Sequence, residues 1–89
     1  MLLLPSRLTH EVAAPSVLAL GDMVARETGA SVVADAGALQ EFDSSALAVL
    51  LAVRRQVLAA GKVFSVLALP DRLRQLAGLY GVQDLLPAA

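Results

Sequence analysis

Two short runs rich in β-branched residues, Ser31 to Ala36 and Lys62 to Leu69, stand on either side of one helix-length segment, Ser44 to Ala60. No other feature constrains the fold as tightly. A strand, a helix and a second strand in one sheet need a crossover connection, and such crossovers are right-handed and lay the two strands parallel. Gly29 and Gly37 bracket the first run, and Gly61 is placed to end the helix.

The flanking segments extend the same alternation. Thr9 is an N-cap residue type, and Val12 to Glu27 reads mainly as helix, with Pro15 in its first turns where a missing amide costs little. Val17, Leu20, Met23 and Val24 recur there at helical spacing, up to a stop near Gly29. After Pro70 and Asp71, the residues Leu73, Leu76, Ala77 and Tyr80 fall at i, i+3, i+4 and i+7, which predicts an amphipathic helix ended by Gly81. Met1 to Pro5 reads as a short edge strand and Leu8 to His10 as a second extended piece. Gly37 to Asp43 reads as a connection, and Val82 to Pro87 as a tail whose Leu85 and Leu86 pack back on the domain. The expected fold class is α/β, one domain over residues 1–89, with a parallel or mixed sheet of about four short strands and three helices.

Composition narrows the chemistry. The chain is 57% hydrophobic and 3% aromatic, so the core must be aliphatic. Seven Lys and Arg against eight Asp and Glu leave a formal charge of -1, with the basic residues scattered, which is not a nucleic-acid footprint. With no Cys, disulfides, thiolate catalysis and cysteine metal sites are excluded together. His10 stands alone without H-E-x-x-H spacing, and no phosphate-binding glycine loop is present. These features predict a non-enzyme without metal or cofactor. The apolar runs Ala46 to Val53 and Val63 to Leu69 are too short to span a bilayer, and Met1 to Pro5 lacks the n-region and h-region of a secretory signal.

Attention therefore falls on Glu41 to Leu51, E-F-D-S-S-A-L-A-V-L-L, where a polar corner meets an apolar run. Either Asp43 or Ser44 suits the start of a helix, and capping needs only one of them. The surplus hydroxyl lies where free amides and the helix dipole favour negative charge, so a plain cap and a recognition or phosphoacceptor site are equally open readings. The helix that follows carries two apolar stripes, Leu47, Leu50 and Leu51 in one and Val49, Val53 and Val57 in the other. Two stripes need two surfaces: the sheet covers one, and a neighbouring element or another protein covers the second.

D-S-S-A-L-A-V-L-L resembles the D-S-[ST]-G-L signature of STAS domains, the family that includes bacterial anti-sigma-factor antagonists, and the order of elements resembles that family over nearly the whole chain. Ala46 stands where the signature has glycine. The stretch from Leu73 to Pro87, L-R-Q-L-A-G-L-Y-G-V-Q-D-L-L-P, is similar to the ending of MlaB-like STAS subunits. The resemblance implies a STAS-like mixed sheet and a non-catalytic subunit. It would bind and stabilise the MlaF-like ATPase of an ABC phospholipid transporter that maintains outer-membrane lipid asymmetry. Partner contact would then fall on Asp43, Ser44, Ser45, Leu47 and Ala48, with an exposed apolar stripe as interface. The protein would be cytoplasmic and reach the inner membrane only through that complex, and pairing of isolated chains through the apolar helix stays open. The alternative from the same resemblance is an anti-sigma-factor antagonist switched by phosphorylation of Ser44, the residue matching the family's phosphoacceptor.

Overall fold

A computed structural model describes all residues, 1–89. Along the chain run β1 (Leu2–Leu3), β2 (Arg7–Leu8), a 3-10 turn (His10–Val12), α1 (Ala13–Arg26), β3 (Ser31–Asp35), β4 (Glu41–Phe42), α2 (Ser45–Ala59), β5 (Val63–Leu67), α3 (Asp71–Leu79) and a last 3-10 turn (Gln83–Leu85). The expected α/β class with three helices is present, and every strand pairing is parallel.

The crossover inferred from the two β-branched runs forms as a β3–β5 pair in register from Ser31 opposite Val63 to Asp35 opposite Leu67. β1 adds to the other side of β3, giving the order β1-β3-β5. Pro5 has no amide to donate, and at that point the N-terminal segment changes neighbour. Leu4 still donates its N–H to the Asp35 carbonyl at 3.0 Å, whereas the Ser6 carbonyl accepts from Gln40 at 2.8 Å and Glu41 at 3.0 Å. Beyond it β2 pairs with β4. The connection expected from Gly37 to Asp43 therefore contains a two-residue strand, too short to leave a periodic signal of its own.

Alternation along the strands divides the three-stranded sheet into two faces. Leu2, Val32, Ala34, Phe64 and Val66 are buried on one, where β1 meets α1 and β5 meets α2. Leu3 and Val63 stand exposed on the other. The tail lies along the outer edge of β5: Val66 donates to the Pro87 carbonyl at 2.8 Å, and Ala89 donates to the Val66 carbonyl at 2.9 Å. Leu86 is buried beneath it, as the tail's composition suggested, and this edge of the sheet is covered.

α1 starts at Ala13 after the 3-10 turn, so Pro15 occupies its first turn, and it stops at Arg26, before Gly29 is reached. Gly61 and Gly81 follow α2 and α3 with φ of 75° and 71°, the left-handed turn that glycine adopts without steric cost. α2 packs against α1, β5, β2 and α3. Both of its stripes are consumed there: Leu47, Leu50, Val49, Val53 and Val57 are buried and Leu51 is half-buried. The expectation of an exposed apolar stripe is thereby corrected, because α1, α3, β5 and β2 surround α2 closely enough to cover it. No helix is long and apolar enough to cross a membrane.

Candidate functional site

The Asp43-Ser44-Ser45 corner joins β4 to α2, and its geometry assigns the capping role. Asp43 Oδ1 accepts the backbone N–H of Ser45 at 2.8 Å, and its Oδ2 accepts the backbone N–H of His10 at 3.1 Å. One carboxylate thus serves an amide at the start of α2 and one at the start of the 3-10 turn. Ser44 already has helical backbone angles, φ -61° and ψ -18°, and its side chain makes no capping hydrogen bond. Between the two cap candidates left open by the sequence, Asp43 does the work, and the Ser44 side chain stands exposed with its hydroxyl released from that task.

The two donated hydrogen bonds, that of Ser45 first and that of His10 second, hold the Asp43 carboxyl below the usual aspartate range; the Ser45 hydroxyl and the charge of His10 act in the same direction. Because the folded value is depressed, the stability this contributes is present above the unfolded value and is lost as pH falls through the folded one. An Asp43→Asn variant is expected to melt below the native protein at neutral pH and to converge with it in acid. Thermal melts across that range check this, and a constant gap at every pH would contradict it.

The remaining predicted contact residues separate. Ser45 is half-buried, Leu47 is 4% exposed and belongs to the core, and Ala48 faces out. Leu47 forms part of the lining of a shallow groove of about 330 Å³ shared with Ser44, Ala48, Leu51, Tyr80 and Val82. The groove brings the corner together with Tyr80 and Val82, which follow the end of α3. Tyr80 was expected on the buried face of the third helix, but α3 ends at Leu79 and Tyr80 is 60% exposed. Leu79 beside it is 80% exposed. Tyr80 and Val82 are groove residues that the sequence reading did not join to the corner, and Leu51 it named only as part of an apolar stripe.

Around the corner the polar contacts are local. Arg7 bridges Glu11 at 2.5 Å and Glu41 at 3.2 Å, all exposed, and Arg72 lies 5.2 Å from the centre of the Phe42 ring. Asp35 accepts the N–H of Gly37 at 2.9 Å, a structural turn contact. The His10 side chain is exposed, and no three His, Asp or Glu residues gather closely enough to hold a metal ion. The groove sets the free Ser44 hydroxyl beside apolar walls of Leu47, Ala48, Leu51, Tyr80 and Val82.

Known proteins resemble the chain in two ways. A family model described as "Mlab, STAS domain" matches residues 1–87. Among solved structures, the anti-sigma factor antagonist SpoIIAA in its unphosphorylated form superposes with a TM-score of 0.73 at 16% identity, covering 98% of this chain and 76% of that one. At that identity the likeness speaks for the fold alone. No curated protein sequence matches significantly. With a family model spanning residues 1–87 and the same arrangement of strands and helices in a solved relative, the chain belongs to the STAS-domain family.

Proposed function

We propose that this protein is a non-catalytic STAS subunit that docks on the cytoplasmic ATPase of an ABC phospholipid transporter maintaining outer-membrane lipid asymmetry, and stabilises and regulates it. The observation that carries this reading is the Mlab-type family match across residues 1–87. The corner geometry supports it: Asp43 holds the backbone, Ser44 offers a hydroxyl, and Ala48, Leu51, Tyr80 and Val82 offer a largely apolar surface. Such a surface recognises a protein without transforming it. The subunit would reach the membrane only through the ATPase. Co-expression with an MlaF-like ATPase from the same organism is expected to yield a co-purifying complex, which Ser44→Arg weakens by about tenfold or more, as expected for a bulky charge at an interface centre. If the two proteins fail to associate in either variant, the reading falls.

A second reading rests on the fold shared with SpoIIAA and on the free Ser44 hydroxyl: an anti-sigma-factor antagonist whose binding is switched by phosphorylation. A cognate serine kinase would then add one phosphate, seen in the intact mass and absent in Ser44→Ala. An unmodified chain after that incubation would exclude this switch.

A further inference from the structure

The two helices that border solvent differ in what they show to it. The outward positions of α3 are Asp71, Arg72, Arg74 and Gln75, the polar set that a solvated helix carries. In α1 no charged residue occurs from Ala13 to Gly21. Its Leu20 and Val24 are buried, whereas Ala14, Pro15 and Ala19 stand exposed and Leu18 is 73% exposed. Beside this face runs an apolar groove of about 430 Å³, where Val12, Pro15, Ala19 and Met23 meet Leu3 and Pro5 of the N-terminal segment. A continuous apolar surface on so small a protein marks a contact site.

The charges at its two ends say what covers it. Val12, Pro15, Ala19, Met23 and Arg26 recur at helical spacing and share one side of α1, with Ala19 at the middle. Val12 and Arg26 lie equally far from it, about 10 Å along the axis in each direction. Glu11 makes one end acidic and Arg26 makes the other basic, and Arg26 takes part in none of the chain's ion pairs. We infer that this face pairs with the same face of a second copy of the chain, the two α1 helices running antiparallel about a twofold axis at Ala19. The small Ala19 side chains then let the helices approach closely. Met23 lies across from Pro15 of the second copy, and Arg26 meets its Glu11 at both ends of the contact. Glu11 holds Arg7 and Thr9 through Oε2 alone, which leaves Oε1 for that meeting. Asp22, the other charge of α1, lies to one side of the strip. The strip is about 20 Å long and a helix is about 10 Å across, so the contact sits at the low end of specific interfaces, on the order of 1,000 Å² in total, and is reversible. None of its residues belongs to the groove beside Ser44, so the pairing does not depend on what binds there.

Sedimentation equilibrium of the free full-length chain tests this. The mass is expected to rise from 9.2 kDa toward twice that value between about 1 and about 300 µM, the range in which a reversible contact of this size dissociates. Ala19→Arg sets a long charged side chain on the twofold axis and should stay monomeric throughout. Its circular dichroism should remain native, because arginine suits an exposed helix position. Arg26→Glu sets like charges against each other and should raise the dissociation constant about fivefold or more. Adding Glu11→Arg reverses the pair and should recover the native constant to within about twofold. A native chain that holds the monomer mass, association unchanged in Ala19→Arg, or a double variant no better than Arg26→Glu would each overturn the pairing. So would a dimer that Ala48→Arg dissociates and Ala19→Arg leaves intact. Co-purification with the ATPase is read separately, and its failure would sink the proposed function while leaving the dimer in place.

Discussion

Replacing Leu47 by aspartate is expected to unfold the domain. Leu47 is 4% exposed within the aliphatic core, between the corner and the fully buried Leu50. The substitution forfeits the burial of a leucine, about 2 kcal/mol or more, and leaves a carboxylate in apolar surroundings without a partner, about 3 kcal/mol or more. A domain of this size has roughly 5 to 10 kcal/mol to lose. Circular dichroism and urea titration should show a chain with little or no cooperative transition at room temperature. A native-like melt would mean that Leu47 is not packed as described. The consequence reaches the functional question: failure of Leu47→Asp to bind a partner would report unfolding, so this position cannot be used to probe the interface.

Ala48→Arg is the informative counterpart. Ala48 lies one residue further along α2, faces outward and lines the groove beside Ser44, Leu51 and Tyr80. Arginine is nearly as good a helix former as alanine, so the thermal midpoint should move by no more than about 0.5 kcal/mol of stability. If the proposed function holds, a long charged side chain across the groove weakens binding of the ATPase proposed as partner by about tenfold or more, roughly 1.4 kcal/mol. Isothermal titration with the purified ATPase reads the effect directly. Unchanged affinity would move the contact surface away from this groove while leaving the core assignment untouched. Together the two neighbouring substitutions separate folding from recognition on adjacent residues of one helix.

The contrast between Leu47 and Ala48 marks where sequence reasoning stopped. On a helix apolar on nearly every side, Leu47, Val49, Leu50, Leu51, Val53 and Val57 carry no amphipathic signal that separates the inward from the outward direction. Which faces are covered depends on where α1, β5, β2 and α3 lie, and those are long-range contacts. The same reason accounts for β4, whose two residues become a strand only because Arg7 and Leu8 are beside them. Tyr80 keeps helical backbone angles at the end of α3, yet it is 60% exposed, because its helical spacing does not say whether another element lies over that last turn.

Local chemistry, by contrast, was legible. The two β-branched runs around one helix require a parallel crossover, and β3 and β5 form it. Glycines at 61 and 81 end their helices through backbone conformations that follow from the absence of a side chain. Asp-Ser-Ser announced the start of α2 because its short polar side chains can reach free amides. Which of the three takes that role was decided by the tertiary structure. The His10 amide arrives from 33 residues away to occupy the second oxygen of Asp43, the carboxylate becomes the cap, and the Ser44 hydroxyl is left free. The sequence by itself determined the order of elements and the polar corner; the packing of α1, α2 and the N-terminal turn decided which groups at that corner are spent on capping and which stay exposed.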